Sequence, residues 1–280
     1  MTIESNYEIH NTKHKKSSVV LIDNSNPCFY TLKKILESEC KVIGVIVCVR
    51  SGWRLRLKKE IKDIKKYGFL SRLSQIIASI LHTFLSGRSD KLYSKNLYDD
   101  RLIEEILLDL KLRSVEILYT SDYESDESLN FLKLYKPDFL ISHTPYWISK
   151  RIRGISSDKV TIGSHPGYVP DYRGAHSSFW CVYDNQPEMN GYSIFCLDSG
   201  IDSGPIIKQE KVSYDRNISY RSNDLLLMKI ASSKHSEIAE NYSKNRSLEH
   251  FDQNGIDPCQ IRRAPSFYNY CKFLFKVQNS

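Results

Sequence analysis

The chain has 280 residues, 41% of them hydrophobic and 26% charged, with a formal net charge of +7 at pH 7. That length can bury a full core, as one large domain or one domain with an appendage, and the composition is that of a soluble globular protein. No apolar run reaches the roughly 18 residues that a bilayer-spanning helix needs.

The charge is local. Between Ser51 and Ser89 nine Lys/Arg stand against two Asp/Glu, which accounts for the whole net charge. This is a basic segment on a balanced body, and no nucleic-acid partner is expected. Met1 to Lys16 is polar, and the apolar run Ser18 to Ile22 is too short for a signal-peptide core, so a cytoplasmic location is expected. The seven cysteines include no pair at zinc-ligand spacing, and no metal site is expected. Reduced thiols acting as small buried hydrophobes are the plain reading.

In chain order, Ser17 to Asp23 reads as a first strand, ending at the turn formers Asn24-Ser25-Asn26-Pro27. Cys28 to Glu39 has helical spacing. Lys41 to Val49 is almost wholly apolar, as a strand covered on both faces should be. This strand–helix–strand order predicts an open α/β sheet. The first turn lacks a G-x-G-x-x-G fingerprint, so a dinucleotide site is not supported. Trp53 to Tyr67 and Phe69 to Ser86 read as two basic helices broken at Gly68. Leu57, Ile61, Ile64, Leu70, Leu73, Ile77, Ile80 and Phe84 make one apolar stripe. Packing on its own domain is the expected fate of that stripe. Peripheral contact with a membrane, the lysines meeting anionic lipid, is the alternative. Helices follow at Asp99 to Leu110 and Ser125 to Tyr135, with a strand at Val115 to Tyr119. Phe139 to Ser142 and Val160 to Ser164 are strands. Ser177 to Tyr183 is a helix, Tyr192 to Leu197 and Ile206 to Val212 are strands, and Ser222 to Tyr242 is a helix. An aromatic tail containing Phe267, Tyr268, Tyr270, Phe273 and Phe275 closes the chain.

Ligands of open α/β sheets sit beyond the carboxyl ends of the strands. His143, His165, Asp198 and Asp202 each follow a strand end. Alone, His165 reads more readily as a structural histidine and Asp202 as a turn residue. Their combination is more specific. His165-Pro166-Gly167-Tyr168-Val169-Pro170-Asp171-Tyr172-Arg173-Gly174, followed by Asp198-Ser199-Gly200-Ile201-Asp202-Ser203-Gly204-Pro205, resembles the formyltransferases that use 10-formyltetrahydrofolate. The match is strong from Val160 to Val212 and weaker upstream.

The resemblance implies a Rossmann-like α/β domain over 17–212, with a mostly parallel open sheet and helices on both faces. A basic helical insertion at about 53–88, a flexible N-terminus at 1–16, and a C-terminal helix and tail at 213–280 complete the expected organisation. It also implies the chemistry. An amine attacks the formyl carbon, the carbonyl oxygen becomes an oxyanion that needs a positioned donor, and protons must move between the two nitrogens. His165 is then the oxyanion donor and Asp202 the acid that orients it. Tyr146, Trp147, Asp198 and Ile201 are the candidates for holding the folate. Tyr172, Arg173 and His176 are those for the acceptor, since a guanidinium suits a phosphate or carboxylate. The family's pattern has an asparagine two residues before the histidine, where this chain has Gly163. His143 or Ser142, at the neighbouring strand end, could replace the missing amide.

The chain has too few residues after its last long helix for the C-terminal barrel of the initiator-tRNA enzymes. The wording around His165 resembles proteins that act on surface-polysaccharide sugars. The expected function is formyl transfer to an amino group on a nucleotide- or lipid-linked sugar, as in lipopolysaccharide biosynthesis. The alternatives are an impaired relative that only binds, and a hydrolase of formyl-folate. A homodimer is left open.

Overall fold

The computed structural model describes residues 15–50, 53–245, 247–253 and 261–278. The expected flexible N-terminus, except its last two residues, and Cys259 lie outside them. Seven strands form one sheet in the order β3-β2-β1-β4-β5-β6-β7. They are β1 (Ser17–Asp23), β2 (Lys41–Cys48), β3 (Glu116–Thr120), β4 (Phe139–His143), β5 (Thr161–His165), β6 (Gly191–Cys196) and β7 (Ile206–Lys211). The first five are mutually parallel, and the last two add antiparallel. The direction of winding reverses between β1 and β4, the kind of position at whose carboxyl ends open α/β sheets bind ligands.

Helices cover both faces. On one side α1 (Asn26–Glu37), α4 (Leu102–Leu112) and α8 (Tyr220–Asn245) pack against Val20, Ile22, Val45, Phe139, Ile141 and Ile162. On the other, α5 (Asp126–Tyr135) and α6 (Lys150–Arg153) contribute to a core with Val19, Leu21, Ile46 and Leu140. The unbroken apolar run of β2 reflects burial on both faces, with Val45 and Ile46 in opposite clusters. α5 ends where expected: Lys136 takes a left-handed conformation (φ 46°) and Pro137 cannot continue the helix.

Three expectations need correction. The second basic helix does not stop at Ser86. α2 (Trp53–Tyr67) is followed by α3 from Phe69 to Leu97. Its extension is held from the side: Asp90 pairs with His82 and accepts hydrogen bonds from the Ser219 and Ser222 hydroxyls. The aromatic tail is a helix, α9 (Phe267–Gln278), docked with α7 (Ser177–Tyr183) and α3 in a third core. The Phe179 and Phe273 rings stack there with centroids 4.5 Å apart. The apolar stripe of the basic helices does not pack on its own domain. α3 rests on the body through Ala78 and His82, while Leu70 is 79% and Phe84 86% exposed. The hydrogen bond between His82 and Tyr270 fixes which side of α3 faces inward.

Candidate active site

β5 carries His165 to its carboxyl end, and the loop 166–176 folds back over it. The His165 Nδ1 lies 3.6 Å from the Asp202 carboxylate. Its Nε2 lies 3.3 Å from the Tyr172 carbonyl oxygen and 3.2 Å from the Ser177 hydroxyl. Nε2 is therefore within hydrogen-bond reach of two oxygens, while Nδ1 stands within ion-pair distance of the carboxylate. The fit depends on Gly167. A Cβ there would stand 2.3 Å from the Tyr172 carbonyl oxygen and 2.6 Å from His165 Nε2.

Asp202 has a left-handed backbone (φ 50°), which aspartate tolerates better than most residues. Its carboxylate accepts a 3.0 Å hydrogen bond from the Gly174 N–H, which ties the two sequence motifs together. Gln253 braces the same loop by donating to the Asp202 and Gly204 carbonyls at 3.2 and 2.8 Å. Gly204 is sterically required, since a Cβ there would stand 1.7 Å from the Cys196 carbonyl oxygen.

Beside Gly163 the space is filled by Leu197. A Cβ on Gly163 would lie 2.7 Å from Leu197 Cδ2. Ser142 is the register partner of Gly163 and shares its face of the sheet. His143 sits on the opposite face, buried between Thr31 and Ser164, and is not positioned to replace an amide at 163. Burial lowers its pKa to about 3 and that of its neighbour His235 to about 4. Both are neutral core histidines.

The folate candidates divide. Tyr146 packs on the sheet, with the Arg50 guanidinium 4.2 Å above its ring. Trp147 and Ile201 are exposed. Asp198 accepts from the Gly200 N–H and the Ser203 hydroxyl, so one of its oxygens shapes its own turn. The acceptor candidates divide too. Tyr172 is buried, and its hydroxyl donates to Gln186. Arg173 is only 2% exposed. Its guanidinium meets no carboxylate among the described residues, and its Nε is buried without a partner. His176 pairs with Asp224 at 3.4 Å and lines a cavity of about 220 Å³ with Arg72, Tyr220 and Arg221. A larger open cavity, about 520 Å³, lies beyond β2 and β3 and is lined by none of the site candidates. Among the described residues, no group of three or more His, Cys, Asp or Glu is placed to hold a metal ion.

Sequence reasoning missed Ser177, Tyr172 as a carbonyl partner, Gln253 and Leu197. Only Ser177 left a local trace, as the residue after His176 at a helix start.

The chain is a seven-stranded α/β protein in which His165, at the carboxyl end of β5, faces Asp202. No family model matches the chain. Over 107 residues it is 31% identical to a GDP-perosamine N-formyltransferase of Brucella melitensis, a match covering 38% of this chain and 40% of that protein. Over 116 residues it is 32% identical to a methionyl-tRNA formyltransferase of Wolbachia sp. subsp. Drosophila simulans, covering 41% and 38%. The chain thus spans about two fifths of the length of these curated relatives. Glycinamide ribonucleotide transformylase 1 from Symbiobacterium toebii shares its fold, with a TM-score of 0.55 at 15% identity over 89% of this chain and 99% of that one. The homologues and structural neighbours of this chain are formyltransferases.

Proposed function

We propose that the chain transfers a formyl group from 10-formyltetrahydrofolate to an amino group of a nucleotide- or lipid-linked sugar, in surface-polysaccharide assembly. The observation that carries this reading is the His165–Asp202 pair at 3.6 Å, two residues 37 apart in sequence that two motifs bring together on a formyltransferase-like sheet. The sugar acceptor is supported by the kinship with the perosamine enzyme.

The folate supplies an activated formyl carbon. Trp147 offers an exposed indole, and Tyr146 an aromatic face capped by a cation, at the strand ends where a flat heterocycle would lie. His165 donates to the developing oxyanion, which requires Nε2 to exchange the loop oxygens for the reacting carbonyl. Asp202 holds the ring's other nitrogen and takes part in relaying the amine's proton, through water where it cannot reach directly. Arg173, a buried cation without a counter-charge among the described residues, raises the potential near the loop and favours an anionic acceptor.

Leu197 beside Gly163 favours a second reading, a relative that binds folate or acceptor without turnover, because no amide donor stands there. The test incubates the full chain with 10-formyltetrahydrofolate and a panel of nucleotide- and lipid-linked amino sugars, with methionyl-tRNA as a further arm. Acceptor-dependent loss of the formyl-folate with an amino sugar supports the transferase. Formylation of the tRNA alone overturns the sugar assignment. Acceptor-independent loss identifies a hydrolase, and binding without turnover identifies the second reading.

A further inference from the structure

We propose that α2 and α3 dock the protein on the surface of an anionic lipid bilayer. α3 has two unlike faces. One carries Ala78 and His82 and is buried against the body. The other carries Leu70, Leu73, Ile77, Ile80 and Phe84, all exposed, at alternating steps of three and four residues. Phe69 and Ile76 widen it, and Leu57 and Ile61 of α2 are exposed as well. Folded monomers rarely leave so long a contiguous apolar surface uncovered unless it meets a partner.

The charge on the polar side of the adjoining helix α2 selects that partner. Lys62, Lys65 and Lys66 of α2 are exposed and have no carboxylate partner among the described residues. The segment Ser51–Ser89 holds nine Lys/Arg and two Asp/Glu. A two-fold contact between copies of this chain would set two such cationic segments against each other. An anionic bilayer neutralises them, and its acyl boundary accepts the apolar side chains. The face is also wider than the narrow seam by which paired helices interlock. No helix among the described residues is long and apolar enough to cross a membrane, so the contact is peripheral.

The docking face adjoins the candidate site. Ile76 and Ile80 line the same cavity of about 220 Å³ as His176, and His176 precedes the serine that touches His165. The proposal does not depend on formyl transfer.

The test is flotation of the full chain with vesicles of phosphatidylcholine alone, or of phosphatidylcholine with about a third phosphatidylglycerol, over a range of salt. Two variants are compared, with melting temperature as the control for folding: Ile80→Glu/Phe84→Glu, and Lys62→Gln/Lys65→Gln/Lys66→Gln. The wild type should float with anionic vesicles and bind neutral ones at least about tenfold more weakly. The double variant should lose about tenfold or more in partitioning, and the lysine variant roughly fivefold per charge together with most of the salt dependence. Failure to bind anionic vesicles overturns the proposal, as does binding that the double variant leaves unchanged. A wild-type dimer that the double variant dissociates, with vesicles ignored, would assign the face to a second copy instead.

Discussion

Leu197 occupying the space beside Gly163 has a measurable consequence. A Cβ at Gly163 would approach Leu197 Cδ2 to 2.7 Å and Cγ to 3.1 Å, closer than packed carbons sit. The Gly163 backbone is ordinary strand, so replacement by Ala meets no conformational penalty and gains about 0.4–1 kcal/mol by restricting the unfolded chain. Against this stands overpacking, typically about 1–3 kcal/mol, reduced here because the clashing atom ends a side chain that can rotate. Gly163→Ala should therefore cost about 0–2 kcal/mol. Leu197→Ala removes a half-buried leucine and should cost about 1–2 kcal/mol, below the range for fully buried sites. In the double variant the new methyl occupies the vacated space, and the coupling should be favourable by at least about 0.5 kcal/mol. Urea denaturation of the four proteins measures this cycle. Additivity within about 0.3 kcal/mol, or a stabilising Gly163→Ala single, would refute the packing argument. The cycle also carries a functional arm. With Leu197 shortened, Gly163→Asn places an amide beside His165. If a missing donor limits turnover, the rate of formyl transfer should rise toward the 10²–10³-fold that one such donor is worth.

Other outcomes follow from the same geometry. His165→Ala and Asp202→Asn should each lower formyl transfer by roughly 10²-fold or more while melting near the wild-type temperature; full activity in either would overturn the roles assigned to the pair. His143 and His235, with folded pKa values of about 3 and about 4, remain neutral while the unfolded chain takes up protons below about pH 6.5. Stability should thus fall with pH through that window, by at most about 2 kcal/mol per histidine between pH 6.5 and 5, and His143→Gln should flatten the dependence seen in urea midpoints. Gly174 has φ 92°, and a Cβ there would stand 2.3 Å from the Arg262 carbonyl oxygen. Gly174→Ala should cost at least about 1–3 kcal/mol and speed proteolytic cleavage near Arg262; an unchanged digestion pattern would refute the close fit between Gly174 and the Arg262 carbonyl.

The strands were legible because β1, β2 and β4 are short β-branched or apolar runs between turn formers, and parallel central strands must look so. The facing of His165 and Asp202 was legible through the resemblance of their two glycine-rich motifs to one family, not from either residue's position alone. What escaped depends on distance in three dimensions. Leu197 meets Gly163 through the antiparallel register of β5 and β6, which brings Phe195 opposite Gly163. The outward face of α3 is visible as a periodicity, but periodicity does not say which side the body takes. That choice is made by His82, Ala78 and Tyr270, the last of them 188 residues away from His82. α9 was missed although Phe267, Tyr270, Phe273 and Leu274 recur at helical spacing, because a cluster of aromatics reads equally well as irregular chain.

The two motif loops are not held by each other alone. The Arg173 carbonyl accepts from the Arg262 N–H, and the Ala175 N–H donates to the Arg262 carbonyl, both at 2.9 Å. Gln253 spans the Asp202 and Gly204 carbonyls. Residues far downstream of the motifs therefore set the distance between imidazole and carboxylate. Gln253 touches neither reacting group, so it acts by position. Gln253→Ala frees the Asp202 carbonyl in a left-handed segment that costs on the order of 1 kcal/mol to maintain, and the turn can relax. A displacement of about 1 Å between catalytic partners can cost up to 10²-fold in rate, so kcat should fall by about tenfold or more. KM for the acceptor should change little. Gln253→Glu, which keeps the size but as a carboxylate cannot donate, should behave like Gln253→Ala at a pH where it is ionised. If Gln253→Glu retained full kcat, the brace would be steric, and the hydrogen bonds to Asp202 and Gly204 would be irrelevant to the pair.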